Sequence, residues 1–154
     1  MYSVIVRLDT LRSYISTNYR VDAEGGSFVL RVGEHSEAIR ELHKRVGVSS
    51  SVFITSCNPF GAECTDEVNA KAMEGLCRHL NKLGIVWFHG EGQGSDGLWP
   101  AESSILALGV SQTQARELCA KFDQNAVVAI SEDSVPRLLL HPGAAVVGDS
   151  APHS

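Results

Sequence analysis

The feature that most constrains this chain is a repeated switch of apolar periodicity between residues 51 and 130. Ser51 to Cys57 is rich in β-forming residues and stops at Asn58-Pro59, a turn signal. From Thr65 the spacing becomes helical, with Val68, Ala72, Leu76, Leu80 and Leu83 on one stripe and Gly84 ending it. Thr65 can cap this helix, and Asp66 and Glu67 suit the positive end of its dipole. Ile85 to His89 and Ser104 to Leu108 return to strand character, on either side of a Gly-rich loop from Gly90 to Gly97. Ser111 and Gln114 form a capping box that opens a second helix, with Ala115, Leu118, Cys119 and Phe122 inward. Ala126 to Ile130 is again a strand. The order β-α-β-β-α-β is the split unit of ferredoxin-like folds, so the expected class is α+β with that core.

The flanks add to this core. Leu8, Leu11 and Ile15 predict a helix over residues 8 to 17. Asn18 to Val21 and Ser27 to Val32 flank Glu24-Gly25-Gly26 as a hairpin. Ile39, Leu42 and Val46 form the stripe of a further helix closed by Gly47. The N-terminal extension is thus expected to be helix, hairpin, helix. Val135 to Leu140, after the Glu132-Asp133 turn, predicts an additional C-terminal strand. Gly, Ala and Ser from Pro142 onward predict a flexible tail, leaving residues 1–141 as a single α+β domain and 142–154 as tail.

Composition excludes several function classes. A chain of 154 residues with 44% apolar and 20% charged residues is that of one globular domain. A formal charge of −5 offers no broad basic footprint for duplex nucleic acid or an anionic membrane. No apolar run approaches the roughly 20 residues of a membrane span. Val4 to Val6 followed by Arg7, Asp9 and Arg12 lacks the order of a secretory signal, so the cytoplasm is the expected compartment. The four cysteines, Cys57, Cys64, Cys77 and Cys119, form no CxxC. Cys77 and Cys119 fall on helical apolar stripes, and a zinc site at Cys57 and Cys64 would need His79 or His89 from elsewhere, so no metal site is expected.

The topology sorts the polar residues by position. The upper end of the sheet is taken here as the end where the strand beginning at Ser51 finishes. Cys57 and Asn58 lie there, as do Thr65 and Asn69 at the start of the next helix. The following strand delivers His89, Gly90 and Glu91 to the same end, its successor starts there with Glu102 and Ser103, and Gln124 and Asn125 close the last helix there. The long connections, 57 to 65 and 90 to 103, are at this end, while the lower connections are as short as Leu83-Gly84 and Gly109-Val110. Long loops on one edge of a rigid scaffold are where binding residues concentrate.

Each of these residues also has an ordinary structural use. Asn58 suits a turn, and Gln124-Asn125 suits a helix end through a left-handed residue. Asn69 is poorly placed in a helix unless its amide ties down a loop or a ligand. Glu102 opens an otherwise apolar strand and is expected to face Asn58 and Gln124. With Glu91 or Asp96 it could form a carboxylate pair for acid–base work or a divalent cation, or it could simply accept loop N–H groups. His89 is a general base by type, on the Trp87 face of its strand. Gly92-x-Gly94-x-x-Gly97 matches the dinucleotide fingerprint in letters alone, because Leu98-Trp99-Pro100 and a strand follow where a helix is required.

Thr55-Ser56-Cys57-Asn58-Pro59, Thr65 with Asn69, Trp99-Pro100-Ala101-Glu102-Ser103 and Phe122-Asp123-Gln124-Asn125-Ala126 together resemble a bacterial family catalogued as domain of unknown function 3293. The resemblance runs from the first helix to about residue 138 and implies a small, soluble bacterial protein without supplying an activity. The chain departs from the family pattern at Val68, where an acidic residue is common, and at Asp123, where Gly is usual, which implies a differently made turn there.

The leading expectation is a small polar ligand bound or processed at the upper end, among Asn58, Asn69, Glu102, Ser103, Gln124 and Asn125. If chemistry occurs, Glu102 is the acid–base or metal-binding group; no motif names a cofactor. The competing expectation is a non-enzymatic module whose polar cluster is structural and which engages a protein partner.

Overall fold

The strand β6 (Glu102–Leu108) carries buried apolar side chains on both faces, so it must lie centrally and be covered twice. A computed structural model, which describes residues 4–94 and 100–148, places it so. Its neighbours are β5 (Trp87–Gln93) and β4 (Ser51–Ile54). Beyond β5 come β2 (Asn18–Ala23) and β3 (Gly26–Leu30); beyond β4 come β7 (Ala126–Ile130) and β8 (Arg137–Leu140). The order is β3-β2-β5-β6-β4-β7-β8, with neighbouring strands antiparallel throughout. With α1 (Leu8–Ser16), α2 (Glu37–Val46), α3 (Asp66–Lys82) and α4 (Gln112–Lys121), the protein is a mixed α+β fold.

Each face has its own core. On one, Val52, Ile54, Ile105, Ala107 and Val127 meet Met73, Leu76 and Leu80 of α3 and Ala115, Leu118 and Cys119 of α4. On the other, Tyr19, Val21, Phe53, Leu106, Leu108, Val128 and Ile130 meet Ile39 and Leu42 of α2. The segment before residue 50 therefore covers the second face. Full burial of a side chain such as Leu76 or Ile39 contributes on the order of 2 kcal/mol. The expected caps form: Thr65 Oγ1 accepts from Val68 N–H at 3.2 Å, and Ser111 and Gln114 bond reciprocally at 3.1 and 3.0 Å. Gly47 closes α2 at φ +84°.

One glycine is dictated by packing rather than by a turn. A Cβ on Gly90 would sit 2.4 Å from the Arg20 carbonyl and 2.8 Å from the Phe53 ring. Only hydrogen there lets Phe53 lie across β5 and meet Tyr19 edge-to-face at 5.2 Å.

The structure differs from the sequence expectations in several places. β5 runs on to Gln93 and pairs with β6 as far as Gly92, so Gly90 to Gln93 of the expected Gly-rich loop are strand. Val68 and Leu83, placed on the inward stripe of α3, are 52% and 55% exposed. At 17 residues the helix is about 25 Å long, so both ends overhang strands of 4 to 7 residues; Val46, at the end of α2, is exposed in the same way. β4 stops at Ile54 rather than Cys57, because the Thr55 hydroxyl donates to the Ser103 carbonyl at 2.6 Å and the chain then turns. The hairpin is no appendage, since β2 pairs with β5 inside the main sheet. Finally, the chain does not leave the fold at Pro142: β9 (Ala144–Val147) pairs in parallel with β1 (Val4–Arg7), and Val6 is 1% exposed. Two four-residue strands, one opening with two alanines, give too little β signal to register alone. Residues 149–154 of the expected tail lie outside the described residues. Among the described residues no helix is long and apolar enough to cross a membrane.

Candidate functional site

The upper end is built around the turn that follows β4. Cys57 N–H donates to Thr55 Oγ1 at 3.0 Å, and the Ser56 N–H and hydroxyl donate to Met73 Sδ at 3.4 and 3.3 Å. Asn58 then adopts a left-handed conformation at φ +45°, which Asn tolerates better than most residues. Its side chain is heavily used. Nδ2 donates to Glu102 Oε2 at 2.8 Å, while Oδ1 accepts from Cys64 N–H at 2.9 Å and Asn69 Nδ2 at 3.0 Å. The Asn58 N–H donates back to Asn69 Oδ1 at 2.9 Å. Asn69, one turn into α3, thus spends its amide on the loop.

Two further non-glycine residues take left-handed conformations at this end, Phe60 at φ +52° and Asp123 at φ +54°. They are joined, the Phe60 N–H donating to the Asp123 carbonyl at 2.7 Å. Such residues cost of order 1 kcal/mol or more each and persist where surrounding contacts over-determine them. Asp123 holds a left-handed geometry that Gly would adopt without strain.

Gln124 Nε2 donates to the carbonyls of Cys57 at 3.2 Å and Phe122 at 3.1 Å, both pure acceptors, which fixes the orientation of that amide. Asn125, 8% exposed, donates from Nδ2 to the Tyr14 hydroxyl at 3.2 Å, joining the end of α4 to α1. The Tyr19 hydroxyl donates to the Tyr14 carbonyl at 2.6 Å. His141 N–H donates to the Asn125 carbonyl at 2.9 Å, and the His141 ring meets Phe60 edge-to-face at 5.8 Å. Both terminal segments therefore close on this end.

Glu102 is half-buried and, among the described residues, receives a single hydrogen bond, from Asn58. Among the described residues no Lys or Arg pairs with it. Burial pushes its carboxyl above the ordinary range, and the Asn58 amide only partly opposes this. Burial likewise raises the Tyr14, Tyr19 and Cys57 groups, and the Glu102 charge adds to each.

The structure brings Asn58, Asn69 and Glu102 into direct contact, with Gln124 joined through the Cys57 carbonyl and Asn125 through Tyr14. Gln124 does not meet Glu102. The Ser103 side chain is exposed and, by strand alternation, on the opposite face of β6; its carbonyl serves the cluster by accepting from Thr55 and Cys57. Glu91 is no partner for Glu102, being paired with Arg20 at 3.1 Å and one residue out of phase on β5. Asp96, and the part of the Gly-rich loop from residue 95 to 99, lie outside the described residues. His89 is exposed against Trp87, ring centres 5.1 Å apart, and His79 packs on Phe122. Among the described residues no three His, Cys, Asp or Glu side chains converge as a metal site would require. Two surface clefts of about 250 Å³ each open toward the lower end, lined in one case by Leu83, Ile85 and Gln114 and in the other by His43, Val48 and Glu132.

Sequence reasoning missed Tyr14, Phe60 and His141. Tyr14 falls just off the apolar stripe Leu8, Leu11, Ile15, the one local hint that its hydroxyl has a partner.

Residues 54–127 match the model of a family described as Protein of unknown function (DUF3293). The family resemblance is shown for that stretch, which contains the four patches around Asn58, Asn69, Glu102 and Gln124 but stops short of the first helix and of residue 138. No curated protein and no solved structure matches the chain.

Proposed function

We propose that this chain binds a small polar ligand at the upper end of its sheet, against Glu102. The observation that carries the reading is a half-buried carboxylate with one hydrogen bond, raised by burial and without a cationic partner among the described residues. A brace does not need that charge. The loops are already held by the Asn58–Asn69 exchange and by Gln124 on the Cys57 carbonyl, all of them neutral bonds. A desolvated charge retained beside a complete brace is a functional-site signal. Asn58 orients the carboxylate, Asn125 and Tyr14 form the adjoining wall, and Asn69 and Gln124 support them. Ser103 takes part only through its carbonyl, which accepts from Thr55 and Cys57. If the ligand is transformed, Glu102 is the acid–base group.

The strand order β5-β6-β4-β7, with α3 and α4 on one face, supports reading the core as a ferredoxin-like unit extended at both edges. We read the protein as bacterial and cytoplasmic, with no role in binding duplex nucleic acid at a net charge of −5.

A thermal-shift screen of the purified chain against nucleotides, amino acids and divalent metals tests the proposal. Glu102→Gln should abolish the response to any hit while leaving the melting temperature of the free protein nearly unchanged, and Asn125→Ala should abolish it too, with a modest loss of stability from the broken bond to Tyr14. A mainly destabilising effect of both substitutions would reduce the cluster to scaffolding. The second reading, a protein-interaction module, is favoured by the internal use of the Asn58, Asn69 and Gln124 amides; it expects a stable complex in a pull-down and no small-molecule hit.

A further inference from the structure

Ser134, in the turn between β7 and β8, is a side chain that the fold does not use. It holds a left-handed conformation at φ +60°, where glycine would sit without strain. The turn is made by its backbone. Its N–H donates to the Ser131 carbonyl at 3.0 Å, and its carbonyl accepts from Ser36 N–H at 3.0 Å. Glycine would form both bonds equally well. The hydroxyl has no partner among the described residues, although the residue is only 2% exposed. A buried polar group left unpaired at a strained position points to something outside the chain.

Ser134 lines the lower cleft of about 250 Å³, where three segments converge. Arg40, His43 and Lys44 come from one face of α2, at spacings of three and four residues beside the buried Ile39 and Leu42. Val48 and Ser49 come from the turn into β4, and Glu132 from the same turn as Ser134. His43 is buried, with Nε2 against Ser51 Oγ at 2.7 Å and Nδ1 without a partner among the described residues. Burial pushes its imidazole below the ordinary range, so the ring is neutral near pH 7 and either nitrogen can carry the proton. Lys44 makes no ion pair among the described residues. Arg40 is held only by Glu37 at 2.9 Å, an exposed pair of little strength in water.

This lining decides the sign of a ligand. A cation would meet Arg40 and Lys44 together. An oxyanion would meet both as counter-charges, and the neutral groups can turn toward it. Ser134 and Ser49 then donate their hydroxyl protons, and the His43 proton sits on Nδ1 while the Ser51 hydroxyl donates to Nε2. Two features oppose an anion. The carbonyl end of α2 is one, but the His43 carbonyl there is already covered by the N–H groups of Gly47 and Val48. The other is Glu132, a single carboxylate against two cations.

We infer that the lower cleft binds a small oxyanion, the phosphoryl or carboxylate group of a small molecule, through Lys44, Arg40 and the Ser134 hydroxyl. This site shares no residue with the upper end and does not depend on it.

The test titrates the full chain with inorganic phosphate, sulfate, acetate and ethanolamine, using sodium chloride to match ionic strength. Binding is read by calorimetry and by the ¹⁵N signals of the His43 ring and the Lys44 ammonium. Phosphate or acetate should bind saturably and move both signals, and the tighter of the two assigns the group. Lys44→Gln should weaken binding by about tenfold. Ser134→Gly should weaken it several-fold without lowering the melting temperature, because glycine relieves the backbone while deleting the hydroxyl. Glu132→Gln should tighten it. Ethanolamine binding that Glu132→Gln abolishes would make the cleft a cation site and overturn the inference. A response that sodium chloride reproduces, or one that Lys44→Gln and Ser134→Gly leave untouched, would overturn it as well. A Ser134→Gly variant that melts lower but keeps its affinity would assign the hydroxyl to the fold, with the same result. So would silence of the His43 and Lys44 signals toward every anion.

Discussion

The two ends of the sheet solve the same problem, turning the chain back into the fold, in opposite ways. At the lower end the turns are short and use glycine, with Gly84 at φ +71° and Gly109 at φ +74°. The polar groups there are served locally, as when the Ser111 hydroxyl accepts from Gln114 N–H or His43 Nε2 meets Ser51 Oγ at 2.7 Å across eight residues. At the upper end non-glycine residues hold left-handed conformations, and the bonds span 44, 67 and 111 residues of sequence. Ser134, left-handed at φ +60° near the lower cleft, is the exception. The contrast teaches that the lower end is stable by local design, whereas the upper end holds its shape only once the whole sheet has formed.

The largest effect that separates the ends should come from Asn58→Ala. It removes bonds to Glu102, Cys64 and Asn69 and places a Cβ-only side chain at φ +45°, so a loss of about 3 kcal/mol is expected in urea denaturation. Asn58→Gly, which relieves the backbone while still deleting the amide, should lose about 1 kcal/mol less. At the lower end Ser51→Ala breaks only the buried pair with His43, for about 1.5 kcal/mol. Ser111→Ala, an exposed cap, should cost about 1 kcal/mol. Equal losses at Asn58 and Ser111 would mean that the upper turn is as locally determined as the lower ones, and the comparison would fail.

The same difference explains what could be read from the sequence. Caps and glycine stops are local chemistry, and Ser111 with Gln114, Thr65 and Gly47 were all legible. So was the collection of polar residues at one end, because strand direction follows from element order alone. Of the partners, Asn58 for Glu102 was legible and most others were not. That Asn69 bonds Asn58, or that Asn125 reaches Tyr14, depends on how loops fold over the sheet, which no periodicity encodes. β1 and β9 were invisible for a related reason: each has four residues and no partner near in sequence, so their signal exists only as a pair.

The smallest effect, and the one that most sharpens the comparison, is the pH dependence of stability, because the two ends carry titrating groups shifted in opposite directions. Burial raises Glu102 above its ordinary 4.5 and lowers His43 below its ordinary 6.5. A carboxyl raised in the folded state favours folding while protonated, so its contribution is full below 4.5 and is lost as pH climbs through the raised value. A histidine lowered in the folded state contributes fully above 6.5, and that contribution is lost as pH falls through the lowered value. Glu102→Gln keeps an oxygen for the Asn58 amide and cannot ionise. Its stability should therefore match the wild type in acid and slightly exceed it near neutrality, while the His43-driven loss on acidification remains in both proteins. Urea denaturation of the pair across pH 4 to 8 measures this directly. A Glu102→Gln variant less stable than wild type at neutral pH would show that the fold itself uses the charge, and the upper end would then be a brace through and through. A variant equally or more stable leaves the carboxylate as a cost that the sheet carries for something outside the protein.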